Sequence, residues 1–206
     1  MANIIWQDRN LFTLRRSGEK MRTKILIHIL ALTLILSSMI LTACGLSASN
    51  PTPEPVSETP EWFDIELTDV QTDETFSMND YAGKVVLVET MAMWCPNCLF
   101  QANEVRKLRK SLDNPDDLIS ISLDVDLHED RASLKDYVTE YGFEWRFAIA
   151  PLEVARALGN LYNAEYLNPP LSPMLIIARN GEVHQLEYGQ KSAESLQKSV
   201  EPFLSP

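Results

Sequence analysis

Cysteine is scarce. The chain of 206 residues has three, Cys44, Cys95 and Cys98. That count excludes a framework of several structural disulfides and leaves one close pair and one singleton. Histidine is equally scarce. Only His128 and His184 lie beyond Cys44, and neither clusters with the cysteine pair. A zinc site asks for about four ligands, so the pair does not read as half of one. No metal or other cofactor is expected. Positive charge is also short in this region, where 12 Lys and Arg stand against 27 Asp and Glu from Cys44 onward. So acidic a surface repels phosphate backbones and argues against nucleic acid as a partner. Its plainest role is solubility. No internal repeat is present.

One long apolar run does occur. Met21-Arg22-Thr23-Lys24 is basic, and Ile25 to Leu36 is apolar except for His28 and Thr33. Ser37, Ser38 and then Leu41-Thr42-Ala43-Cys44 follow. Basic head, apolar middle and small residues before a break describe a secretory signal. Leu-Thr-Ala-Cys resembles the bacterial lipobox, which implies cleavage before Cys44 and lipidation of that residue. The expected location is the cell membrane, lipid-anchored on its extracytoplasmic face. Each buried CH2 contributes about 0.8 kcal/mol, so several acyl chains anchor firmly. The alternative is an uncleaved span from Ile25 to Leu41, near the lower length limit. It gives the same topology, because the basic residues stay cytoplasmic.

The expected organisation follows. Residues 1–20 precede the natural start of a signal at Met21 and read as an over-long gene start. Residues 21–43 are the signal. Residues 44–60 carry the lipidated Cys and a tether with Pro51, Pro53, Pro55 and Pro60. An extended tether of this kind spans about 3.1 Å per residue, up to roughly 50 Å in all. Residues 61–206 form the globular domain.

In that domain Phe63, Ile65 and Leu67 alternate with acids, predicting a half-buried strand, with Thr75 to Ser77 pairing back on it. Val85-Val86-Leu87-Val88 predicts a central strand covered on both faces. Leu99, Ala102, Val105, Leu108 and Leu112 mark one helix face. Arg106, Lys107, Arg109 and Lys110 near its end suit the helix dipole. Further strands are expected at Leu118–Leu123, Trp145–Ile149, Met174–Ala178 and Glu182–Tyr188, the last two joined by a tight turn at Asn180-Gly181. Helices are expected at Arg131–Tyr141 before Gly142, at Leu152–Leu158 before Gly159, and from Ala193 to Phe203. Strands alternating with helices, then a hairpin and a helix, predict an α/β sandwich with a mixed sheet.

The chemistry lies in Trp94-Cys95-Pro96-Asn97-Cys98, where the central strand hands over to a helix. A thiolate, not a thiol, attacks disulfides. Unpaired N–H groups and the dipole at a helix N-terminus favour negative charge. That makes Cys95 the candidate nucleophile, expected to be exposed. Cys98 lies one turn on and can resolve a mixed disulfide. Pro96 suits the first helical turn.

Ala82-Gly83-Lys84-Val85-Val86-Leu87-Val88-Glu89 followed by Met91-Ala92-Met93-Trp94-Cys95-Pro96-Asn97-Cys98 resembles the thioredoxin superfamily, most of all its TlpA/ResA-like branch. The resemblance runs from about Glu61 to Pro206. It implies a thioredoxin-like three-layer sandwich, a central mixed β-sheet flanked by helices. It implies that Cys95 and Cys98 form a redox-active disulfide. It implies that Pro173 is a cis-proline facing the pair, with Trp94, Ser172 and Pro173 contacting substrate. Thioredoxins also hold a buried acid at the position of Glu89. Desolvation raises a carboxyl pKa, so Glu89 is expected to help deprotonate Cys98 through water. The alternative for Glu89 is a strand-end acid paired with Lys or Arg.

Three departures stand out. Thr90 and Met91 replace usual aromatics, and Met91 and Met93 offer either adaptable contacts or core filling. Asn103 stands where a kinking proline is usual. Gln101 stands where members that serve cytochrome maturation tend to carry an acid, which counts against that role.

The expected function is a thiol-disulfide oxidoreductase acting on protein thiols and disulfides, with a membrane thiol carrier as possible reductant. The direction of electron flow depends on reduction potential and stays open. Two alternatives remain. A peroxiredoxin-like peroxidase needs a Thr three residues before its reactive Cys, where this chain has Ala92. A non-catalytic binding lipoprotein would use the disulfide only as a staple.

Overall fold

Seven buried residues in a row, Val85–Met91, form the strand on which everything else is built. β-Branched side chains stand well on a pleated surface, and here both faces are covered. The computed structural model describes residues 59–112 and 118–204. Cys44, the apolar run and nearly all of the tether lie outside those residues. Among the described residues no helix is long and apolar enough to cross a membrane.

The strands are β1 (Leu67–Thr68), β2 (Thr75–Phe76), β3 (Val85–Met91), β4 (Leu118–Asp124), β5 (Arg146–Ile149), β6 (Met174–Ile177) and β7 (Val183–Gln185). The α-helices are α1 (Pro96–Ser111), α2 (Arg131–Tyr141), α3 (Leu152–Leu161) and α4 (Ala193–Leu204). The main sheet runs in the order β5-β4-β3-β6-β7. β3, β4 and β5 are parallel, while β6 and β7 run antiparallel to their neighbours. β1 and β2 form a separate small hairpin.

Alternation along β3 divides the core. Leu87 and Met91 pack with Ala102, Val105 and Leu108 of α1 and with Leu196 and Val200 of α4. Val86 and Val88 pack with Val154 and Leu158 of α3 and with Trp62 and Tyr166. This is the expected three-layer sandwich around a mixed sheet.

Two expectations fail locally. The predicted strand from Phe63 is a 3-10 turn, Glu61–Asp64, and only Leu67–Thr68 is extended. The turn sends the consecutive Trp62 and Phe63 both into the core, with the Trp62 indole donating to the Tyr162 hydroxyl at 3.1 Å. A strand would have put them on opposite faces. The second failure is Gly159, which lies inside α3 rather than ending it. A Cβ there would stand 3.2 Å from Leu167 Cδ1, so this glycine permits close packing.

Gly142 does end α2 as expected. It sits at φ 62°, ψ 46°, and its N–H bonds the Thr139 carbonyl at 3.2 Å. An L side chain pays roughly 1 kcal/mol in that region. Gly142→Ala is therefore expected to lower the unfolding free energy by about 1 kcal/mol, read as a lower urea midpoint at unchanged slope.

Candidate active site at the start of helix α1

Cys95 is the N-cap of α1, with extended backbone (φ −88°, ψ 110°), and Pro96 opens the helix. The Cys98 N–H points back at Cys95 Sγ at 3.2 Å. Leu99 N–H donates to the Cys95 carbonyl at 3.2 Å. The helix therefore presents one N–H and its positive end to the Cys95 sulfur. The two cysteines are joined as a disulfide, with Cα atoms 5.3 Å apart.

The expectation of an exposed sulfur is not met in this oxidised state, where Cys95 and Cys98 are each 1% exposed. A 3-10 turn, Pro169–Leu171, lies against Cys98 and Asn97. The Asn97 side-chain amide donates to the Pro170 carbonyl at 2.8 Å. Cys98 Sγ stands 3.4 Å from the Pro169 carbonyl, an acceptor for the thiol proton once the bond is reduced.

Pro173 follows this turn and leads into β6. Its carbonyl accepts the Thr90 N–H at 3.1 Å, which fixes it beside β3. The implied cis bond is absent: there is no cis peptide among the described residues. The chain reverses instead through Ser172, which takes a left-handed conformation at φ 47°, ψ 56°. Ser172 is buried, and its carbonyl accepts the Lys191 ammonium at 3.0 Å.

Glu89 lies on the β3 face that carries Leu87 and Met91, opposite Ser122 of β4 and Met174 of β6. Leu87, Met91 and Met174 share one apolar cluster with Cys95 and Cys98. Glu89 is buried, and its Oε2 has no hydrogen-bond partner among the described residues. Burial pushes its carboxyl from 4.5 up to about 8, against a smaller opposing pull from Lys191. Burial likewise draws Lys191 down to about 8, with Glu89 and Glu187 pulling the other way. The acid is thus buried within β3, with the Lys191 ammonium near enough to oppose the rise.

Lys191 was not singled out from sequence, and nothing local marks it. Its place comes from tertiary contacts. The Gln101 side chain bonds both its carbonyl, at 3.1 Å, and its N–H, at 2.8 Å. Gln101 thereby ties α1 to the segment before α4. Asn103 donates to the Leu99 carbonyl at 2.8 Å within the helix. Met91 fills core, and Met93 packs at its edge.

Trp94 is 57% exposed and lines a groove with Leu127, Leu167 and Pro169. Its indole donates to Asp126 Oδ2 at 2.6 Å. His128 Nδ1 is 3.1 Å from the other Asp126 oxygen. Glu129 accepts the Met93 N–H at 2.8 Å and the Trp94 N–H at 3.3 Å. These acids were also missed, yet a signal existed. β4 is parallel to β3, so the acidic stretch after it must emerge at the edge where Cys95 sits.

A mixed sheet with a Cys-x-x-Cys disulfide capping a helix beside its central strand defines the thioredoxin-like fold of thiol-disulfide exchange proteins. Residues 55–201 match the Redoxin family, and the chain belongs to it. Among solved structures, a thiol-disulfide isomerase from Corynebacterium glutamicum is 25% identical, with a TM-score of 0.53, covering 68% of this chain and 94% of that one. A thiol:disulfide interchange protein from Chlorobium tepidum TLS is 19% identical, with a TM-score of 0.56, covering 68% and 93%. The exposed lipoprotein thioredoxin Etrx1 from Streptococcus pneumoniae is 18% identical, with a TM-score of 0.55, covering 67% and 98%. No curated protein matches the chain.

Proposed function

We propose that this protein is an extracytoplasmic thiol-disulfide oxidoreductase, held on the membrane through lipid on Cys44, that exchanges disulfides with protein substrates. The observation that carries the reading is Cys95 as helix N-cap, with the Cys98 N–H 3.2 Å from its sulfur. In the reducing direction the Cys95 thiolate attacks a substrate disulfide and expels one substrate thiolate. The Cys98 thiolate then attacks Cys95 Sγ and expels the second. Two electrons pass to the substrate, which takes up two protons, and the enzyme keeps the disulfide. A membrane thiol carrier restores the dithiol. The oxidising direction runs the same steps backwards.

Reaching the pair requires a local opening, because both cysteines are buried in the disulfide form and the Pro169–Leu171 turn lies against Cys98. The groove of Trp94, Leu127, Leu167 and Pro169 would then seat an apolar side chain of the substrate polypeptide beside its cysteine. Ser172 and Pro173, which follow that turn in the chain, would meet the substrate backbone. Glu89 takes the proton of Cys98 before resolution. Support for the anchor comes from the sequence Leu41-Thr42-Ala43-Cys44 after an apolar run.

The test is a Cys98→Ala variant expressed in intact cells. It is expected to accumulate target proteins in mixed disulfide with Cys95, in the membrane fraction. Adducts that form equally well with Cys95→Ser would overturn the reading. Adducts confined to the soluble fraction would remove the anchor alone.

A further inference from the structure

Lys191 lies between β7 and α4 and is 9% exposed. A lysine so well covered needs partners for its ammonium. Its Nζ donates to the Ser172 carbonyl at 3.0 Å and to the Gly189 carbonyl at 2.6 Å. The residues before it grip the same neighbourhood. Gly189 N–H donates to the Leu171 carbonyl at 2.7 Å. The Gln190 side-chain amide donates to Asn97 Oδ1 at 3.0 Å, and Asn97 donates in turn to the Pro170 carbonyl. Gln101 of α1 holds both backbone groups of Lys191. The segment from Gly189 to Lys191 thus straps the Pro169–Ser172 stretch to the helix that carries the cysteines.

We propose that Lys191 is a positioning residue whose ammonium latches the Pro169–Ser172 stretch against Cys98, so that the disulfide reacts only when this latch releases. Ser172 has neither backbone polar group to spare in the latched state. Its N–H donates to the Pro169 carbonyl at 2.8 Å, and its carbonyl is taken by Lys191. The latched state is locally unfavourable for Ser172. Its left-handed backbone, at φ 47°, crowds an L side chain, and its buried hydroxyl has no partner among the described residues. Charge-assisted bonds from an ammonium are strong enough to offset such costs. Release therefore frees a strained residue together with its donor and acceptor. In the exchange reaction proposed above, on which this consequence rests, an extended substrate polypeptide brings an N–H and a carbonyl that replace the bonds lost at Ser172. A small thiol brings no such pair and waits for spontaneous opening.

The latch is tested on the oxidised protein without any protein substrate, so it fails separately from the Cys98→Ala trap. Hydrogen exchange reads the opening. In the native protein the amides of Ser172 and Gly189 are expected to exchange at least about tenfold faster than those of Leu87 and Val88 in β3, through a local opening. Lys191→Met removes the donor at similar length. It is expected to speed exchange at Ser172 and Gly189 by about tenfold to a hundredfold, and reduction of the Cys95–Cys98 bond by dithiothreitol by a similar factor. If that variant does not fold, Lys191→Gln is read in its place, because its shorter amide cannot span both carbonyls. Gly142→Ala is the control. It weakens the whole fold without touching the latch, so it is expected to quicken the β3 amides and leave Ser172 and Gly189 as they were. Native exchange of Ser172 and Gly189 no faster than that of β3 overturns the proposal. So does a Lys191 variant in which only the β3 amides quicken, the result of a merely structural role, or an equal response of Ser172 and Gly189 to Gly142→Ala.

Discussion

Cys95→Ser is expected to lower disulfide exchange with a protein substrate by about a thousandfold or more. A hydroxyl at neutral pH is neither ionised nor a soft nucleophile, and Cys98 alone offers no equivalent. The two cysteines are equally buried in the disulfide form, but the Cys98 N–H points at Cys95 Sγ whereas Cys98 Sγ contacts the Pro169 carbonyl. The helix end therefore favours Cys95 over Cys98 as the attacking thiol. Stopped-flow reduction of a disulfide-containing protein by the reduced enzyme measures the effect. If Cys98→Ala lost the first attack and Cys95→Ser retained it, the assignment of roles would be reversed. Retention of exchange in both single variants would identify the bridge as a staple.

Glu89→Gln is expected to make the protein more stable and less competent. The folded protein holds a proton on Glu89 up to about pH 8, against an ordinary value of 4.5. Between those two values the native state binds a proton that the unfolded chain has released. Stability from this group is therefore complete below about pH 4.5 and is lost as pH rises through about 8. The amide stays neutral throughout and removes the loss. The full linkage at pH 8 is about 4 kcal/mol, and the Lys191 ammonium loses its facing carboxylate, leaving a net gain of roughly 2 kcal/mol. Urea denaturation at pH 5 and pH 8 reads it: the variant should gain little at the lower pH and most at the higher. Equal gains at both would show that packing, not the proton, is responsible. In the same variant, resolution should slow by about tenfold to a hundredfold while attack by Cys95 is largely kept. Quenched-flow trapping of the mixed disulfide separates the two steps. Unchanged resolution from pH 6 to pH 9 would remove Glu89 from the mechanism.

The legible part of the fold was the part with a single dominant period. Val85–Met91, the α1 face and the Gly142 stop each announce themselves within a few residues. Glu61–Asp64 misled because three apolar residues at spacing two imitate a strand, while the aromatic pair Trp62-Phe63 is committed to one side of the sheet. Gly159 misled because close packing against Leu167 uses the same residue that helix stops use.

The site divides in the same way. Cys95, Cys98 and Glu89 sit on one strand-to-helix passage; the cysteines stood out by their spacing, and Glu89 only through the resemblance to thioredoxins. Lys191 reaches the site from 93 positions beyond Cys98, through a reciprocal bond with Gln101 that no local pattern encodes. Asp126 and Glu129 depend on β4 lying parallel to β3, a matter of sheet order rather than of sequence run. The cover over Cys98 comes from the Pro169–Leu171 turn, which reaches it from 71 positions along the chain.

The most direct measurement is the ionisation of the Cys95 thiol in the reduced protein, followed by the pH dependence of its alkylation rate in the Cys98→Ala background. A sulfur capped by a helix end should form its thiolate with a midpoint below about 7.5. A midpoint at or above about 8.5, that of an ordinary free thiol, would contradict the account.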